Sequence, residues 1–351
     1  MRVCQKNERG SAIGWWGMGN VMGPALGPTL GGVLTQYFGW ESIFYVNIPI
    51  GFITLILATK YLTFLKKRPR TLPRFDFRGY LWFVCFVSML LFTLTTTSAR
   101  YGFLSWQFIS GLILTLIFLR AFIRSGRRPE PLLDLSVFNI AAFNRAYIIV
   151  AIRSLALFGG MFFLPFLLQG LLGYSEVQSA LLILPNALVM MITRPLAGKL
   201  ADKGRIRYIS MAGIMILASS FVMFAFIDIG TAVWFIIGSM VIRGLGISLL
   251  ISPVSTALLN SVQPSQTSTA TSLTSLMQQL GGSIGIAISS SLHTYIYDFY
   301  IIKGETEKVA EHFALQDGFL FTAALILITL IPARKLPQIA SKKVKGKEII
   351  G

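Results

Sequence analysis

Few side chains in this sequence could do chemistry, and most of those stand alone inside apolar runs. Arg243 lies within SMVIRGLGISLLISP, residues 239–253. A guanidinium at mid-bilayer costs at least ~2.5 kcal/mol, so it must face a water-filled pathway or a partner. Two roles follow: it lines or gates a cavity, or it bonds helix carbonyls freed beside Pro253. Arg153, closer to the start of its run, is a candidate to line or gate the cavity or else to reach the interface, and Arg194, near the end of another run, is expected to snorkel to the interface. Asn186, Gln278 and Gln279 are polar groups in apolar helices, as is Gln169. Each either lines a pathway or hydrogen-bonds a neighbouring helix.

Other chemistry is missing its parts. Cys4 and Cys85 are the only two cysteines, far apart and without metal-ligand spacing. His293 and His312 fall near a hydrophilic stretch and join no cysteine cluster. No nucleophile setting and no His/Asp/Glu cluster points to an enzyme, and no cofactor or metal is expected. None of the 14 Asp and Glu residues falls in the middle of an apolar run, although a proton-driven transporter needs an ionisable group inside the membrane.

The elements that hold these residues are helices in a bilayer. Of the 351 residues, 54% are hydrophobic and 13% charged, against roughly 25% charged in ordinary soluble domains. Mean hydropathy is +0.69. Charge-free runs of about 20 residues recur along the chain, which is the signature of an all-α integral membrane protein. Ten spans are expected, near 10–37, 42–65, 79–98, 106–123, 143–172, 179–200, 208–227, 231–255, 273–297 and 318–333, with a loop over 298–317. The net charge of +17 sits in short loops rather than on one soluble face, which excludes nucleic acid as a partner. With both termini cytoplasmic, the basic clusters at 66–78, 120–128, 199–207 and 334–347 all fall inside. Only Arg100, Lys303 and Lys308 then fall outside, as the positive-inside rule requires.

One helix is set apart by its glycines. Between Arg9 and Glu41 there is no charge, and Gly19, Gly23, Gly27 and Gly31 recur every fourth residue, a stripe along which another backbone can approach. Pro24 and Pro28 each remove an amide donor and predict a kink. Later, RPLAGKLADKGRIRYI places Gly198, Asp202, Lys203 and Arg205 in a tight basic turn.

The fuller spacing of Gly14, Gly23, Gly27, Pro28, Gly31 and Gly32 resembles the antiporter motif of major-facilitator exporters. The following FGWESIFYVNIPIG (38–51) is similar to the next helix start in their fourteen-helix drug:proton antiporter branch. The 198–205 turn resembles that family's cytoplasmic gate loop, except that Gly204 arrives one residue early, so its turn geometry is expected to differ. The resemblance covers nearly the whole chain, from the family's fifth helix to its last, and implies that the first four family helices would precede Met1. It implies a remnant of the N-terminal bundle at 1–65, two linker helices with basic loops at 66–135, a C-terminal six-helix bundle at 136–335 and a basic cytoplasmic tail at 336–351. It also implies export of small amphipathic organic compounds across the inner membrane, with protons moving inward and the proton gradient as energy source. A periplasmic adaptor or a separately supplied N-terminal half are further candidate partners. A non-transporting fragment or subunit is the alternative, as is a specific metabolite, lipid or siderophore as substrate.

Overall fold

The computed structural model describes residues 11–19, 34, 37–61, 76–97, 105–126 and 132–337. Among these the chain is helical throughout. The helices are α1 (11–19), α2 (Ser42–Tyr61), α3 (Phe77–Phe92, continued by a π-helical turn Thr93–Thr97), α4 (Trp106–Ser125) and α5 (Ala141–Pro165, continued by a π-helical turn Phe166–Leu171). After them come α6 (Glu176–Asp202), α7 (Ile206–Ala225), α8 (Val233–Asn260), α9 (Thr267–Ile302) and α10 (Glu307–Ala333).

Seven of the described helices are long and apolar enough to cross a membrane: α2, α4, α5, α6, α7, α8 and α10. α3 is apolar but shorter, and serine, threonine and glutamine lower the hydropathy of α9. Of the first expected span, only α1 lies within the described residues.

Local chemistry sets the helix starts. Asp76 and Ser105 accept the amide protons of Gly79 (2.9 Å) and Phe108 (3.2 Å), capping α3 and α4. Ser175 and Gln178 close a reciprocal capping box at the start of α6. Between α6 and α7 the early Gly204 adopts φ +81° and donates its amide to Ala201 O (3.0 Å), ending α6 in a left-handed turn.

The expected 298–317 loop is mostly helix. α9 runs on to Ile302 and α10 begins at Glu307, leaving a four-residue turn with Gly304 at φ +86°. Glu307 favours the positive N-terminal end of α10, and Lys308, Glu311 and His312 continue at helical spacing, so their charge does not stop the helix.

The helices from α5 onward form one packed bundle, centred on Phe143, Phe163, Phe221, Phe224 and Phe319, all fully buried. Lipid tails are as apolar as leucine, so close packing rather than the hydrophobic effect holds such helices together. At the α7–α8 seam a Cβ on Gly213 would lie 2.7 Å from Leu250 N, and one on Gly246 2.6 Å from Leu217 N. α5 and α9 run parallel: Tyr147 reaches Leu273 O, Gly281 faces Ser154, and Phe166 meets His293. α3 and α4 pack chiefly on each other, and α3 with its π-helical turn touches α9 lightly. In α2 the spanning window has no buried residue.

At one end of the bundle Asp134 joins two connectors. Its carboxylate accepts the Ser136 amide (3.0 Å) and Gln266 Nε2 (3.0 Å). Hydrogen bonds from Ser136 and then Gln266 hold this carboxyl below its ordinary value of 3.8. A depressed carboxyl stabilises the fold above its unfolded value, and that contribution is lost as pH falls through the folded value. Asp134→Asn is therefore expected to lower the unfolding temperature at pH 7. The difference from wild type should vanish in thermal scans well below about pH 4, where the carboxyl is protonated in both states; a pH-independent difference would contradict it.

Candidate functional site

Three arginines are buried among the helices. Arg153 on α5 is 3% exposed, Arg243 on α8 is 6% and Arg194 on α6 is 9%. Arg194 was expected to snorkel to water, and Arg153 either to do so or to line the cavity; both turn into the bundle. Snorkelling needs a clear path along lipid, and here neighbouring helices cover the side chains. Arg153 lies about 18 Å along α5 and Arg243 about 15 Å along α8, at 1.5 Å per residue. Both are too deep for a cheap route to water.

Each of the three has a buried Nε without a hydrogen-bond partner, and none forms an ion pair among the described residues. Arg194 does find one acceptor: its Nη1 donates to Gly17 O at 2.7 Å, across to α1. That contact exists because α1 carries no side chain where it meets α6. A Cβ on Gly14 would lie 2.7 Å from Arg194 O and 2.8 Å from Pro195 Cα, and one on Gly17 would sit 3.2 Å from the Arg194 side chain.

The same seam continues into the turn after α6. Ser11 N donates to Asp202 Oδ2 at 2.8 Å. Gly198 is buried, Asp202 half-buried, and Lys203 and Arg205 point outward at the ends of α6 and α7. So Gly14 and the 198–205 turn, far apart in sequence, belong to one α1–α6 contact. Gly23, Gly27, Pro28, Gly31 and Gly32 lie outside the described residues.

Asn186 sits two turns before Arg194 on α6 and is 8% exposed. Its Nδ2 reaches Met190 Sδ (3.6 Å) while its Oδ1 is buried without a partner. Gly244, next to Arg243, lets α8 press on the Asn186 carbonyl, where a Cβ would be 2.6 Å away. Gln278 is half-buried on α9, and Gln279 is exposed. A groove of about 530 Å³ between α3 and α4, lined by Met89, Phe92, Thr96 and Gln107, holds no ionisable side chain and lies on other helices than these groups.

One ionisable pair escaped sequence reading. His293 Nε2 on α9 lies 3.1 Å from Glu311 Oε1 on α10, and the histidine is 8% exposed. Both residues fall near the stretch expected to be loop, which hid Glu311 from the count of membrane carboxylates. The available signal was the apolar spacing of Ala310, Phe313 and Ala314 at i, i+3 and i+4, which reads as helix.

Apolar membrane helices that bury arginines without a counter-charge are costly and mark positions kept for more than packing. The chain belongs to the Major Facilitator Superfamily, whose family model matches residues 1–286. It is similar to the "Multidrug resistance protein B homolog" of Mycobacterium tuberculosis (strain ATCC 25618 / H37Rv), with 31% identity over 92% of this chain and 66% of that protein. It also resembles the multidrug transporter protein MdtP of Bacillus subtilis (strain 168), at 29% identity over 75% of this chain and 48% of that one. The riboflavin transporter RibZ of Clostridioides difficile (strain 630) is 28% identical over 93% of this chain and 70% of its own length. The chain thus spans between about half and 70% of the length of these relatives.

Proposed function

We propose that this chain serves proton-coupled export of small amphipathic organic compounds by alternating access, as a fourteen-helix drug:proton antiporter whose fifth to last helices it supplies. The observation that carries this reading is the set of buried arginines, Arg153, Arg194 and Arg243, each with an unpartnered Nε. Such groups are expensive in a bilayer and mark substrate or ion pathways. Two of the similar proteins are named for multidrug resistance or transport, which favours an organic substrate, while one named for riboflavin keeps a specific metabolite in view. The α1–α6 contact, with Asp202 holding Ser11, acts as the latch of the inner gate.

The test is efflux of a fluorescent lipophilic cation such as ethidium from inner-membrane vesicles or cells. Export that stops when a protonophore collapses the pH gradient supports the reading. Export that persists overturns the coupling, and no export from any membrane containing the chain overturns the whole. Gly14→Leu is expected to cut efflux at least ~10-fold by forcing α1 off the α6 backbone, since neither Arg194 O nor Pro195 Cα can give way. Its unfolding temperature should fall as well, because Ile13 is part of the buried core and Arg194 would lose the Gly17 carbonyl, so efflux is compared at equal amounts of folded protein. Undiminished efflux would remove the seam from the mechanism.

A second reading, a chain that works only beside separately supplied helices, is favoured by α2, whose spanning window buries nothing against the described residues. Co-expression with the N-terminal part of a relative distinguishes the two: restored efflux favours the second, and efflux from this chain alone excludes it.

A further inference from the structure

We propose that His293 and Glu311 form the proton-binding switch of this protein, at the end of the bundle opposite Asp202. The proposal rests on the proton-coupled reading above and names the group that carries the proton.

The placement follows from helix directions. α9 runs parallel to α5, and α6 returns antiparallel after a short turn. His293, late in α9 and beside Phe166 at the end of α5, is therefore far from Asp202 at the end of α6. In the orientation set by the basic loops, this is the outer end, the side from which protons enter. The pair lies about 14 Å before the Ile302 terminus of α9, at 1.5 Å per residue.

The surroundings are aromatic. The His293 ring lies 4.8 Å from Phe166, 6.2 Å from Tyr297, 6.3 Å from Phe162 and 6.4 Å from Phe163, centroid to centroid. α5 thus presents three phenylalanine rings to the pair. On α9 the nearby titratable groups are Tyr297, Asp298 and Tyr300, with Lys303 over the Phe299 and Tyr300 rings. α10 adds Glu307, Lys308 and His312, and His312 is 3.7 Å from Asp228 in the α7–α8 turn.

The chemistry of the pair is a one-proton exchange. With a neutral imidazole, Nε2–H donates to Glu311 Oε1, leaving the Nδ1 lone pair free and a net charge of −1. A proton arriving from outer water forms an N–H bond at Nδ1, and the pair becomes imidazolium and carboxylate, with net charge zero. Imidazole is the side chain that ordinarily changes charge near neutrality. The neutral pair is compatible with the aromatic enclosure, whereas the anionic pair favours contact with water. Loading a proton therefore biases the α9–α10 hairpin toward closing over the pair, and releasing it biases the hairpin toward opening.

The experiment is pH-difference infrared spectroscopy on the full chain in lipid nanodiscs, between about pH 5 and about pH 9, a range that brackets ordinary imidazole titration. In wild type the imidazole and carboxylate bands are expected to change together. Glu311→Gln should remove the carboxylate change and displace the imidazole change, Glu311→Asp should restore both, and Glu307→Gln should leave both in place. Bands that do not respond to pH, or that are unaltered in Glu311→Gln, overturn the proposal. So does a Glu311→Gln variant whose only effect is the same loss of thermal stability at every pH, which is what a merely structural pair would give. Ethidium efflux in the same variants separates the two readings. Intact titration without any efflux sinks export and leaves the proton site, while gradient-driven efflux untouched by Glu311→Gln sinks the site and leaves export.

Discussion

Replacing Arg243 with methionine is expected to abolish export while raising the unfolding temperature. Methionine matches the length of the arginine stem but removes a guanidinium that is 6% exposed and whose Nε meets no acceptor. A charge in this position costs at least ~2.5 kcal/mol on insertion scales, and apolar replacement of buried charge is often neutral or stabilising. Even 1 kcal/mol of relief corresponds to roughly 1–2 °C in a chain of 351 residues. Efflux should nevertheless fall at least ~10-fold, because a residue kept against its own solvation energy is kept for the pathway. Thermal unfolding in detergent and ethidium efflux in vesicles read the two effects separately. Lower stability with normal efflux would instead mean that the guanidinium is a structural bridge to helix carbonyls.

The largest loss of stability is expected from Gly285→Val. This glycine lies where α9 presses on α5, and a Cβ there would overlap the Leu155 carbonyl and sit 3.0 Å from Leu155 Cα. A flexible side chain could swing aside, but a helix backbone cannot. The two helices must separate along a seam that also includes Gly281 against Ser154 and Gly159 against Ser289. Overpacking of this kind costs about 3 kcal/mol at the upper end of its usual range. Gly238→Val is the control, because nothing lies within 4 Å of a Cβ built there. Unfolding temperatures should drop sharply for the first variant and little for the second. Equal effects would show that loss of glycine, not the seam, is what matters.

Both predictions turn on which way a residue faces, and that is where sequence and structure part. The apolar runs alone determined an all-helical membrane protein, because in lipid every backbone amide must be satisfied within its own helix and run length decides which segments qualify. Short-range chemistry was equally readable. The 198–205 turn was expected as a tight link, and Gly204 supplies its left-handed residue. The stripe from Gly19 to Gly31 pointed to close helix approach, but Gly19, its one described member, is exposed with nothing within 4 Å of a Cβ built there; α1 rests on Arg194 and Pro195 through Gly14 and Gly17 instead.

Only the tertiary structure decided where the polar side chains go. α5, α6 and α8 are apolar on every side, so no polar face in their sequences says which residues turn inward. Close-packed glycines set the rotation of each helix instead, burying Arg153 and turning Arg194 toward the Gly17 carbonyl. The same packing left Gln278 half-buried and its neighbour Gln279 exposed. His293 and Glu311 are 18 residues apart across a turn, and their meeting at 3.1 Å depends on the register of α9 against α10. That register is fixed by the helix surfaces on both sides, as where Gly318 accepts the Phe163 ring, and no local pattern encodes it.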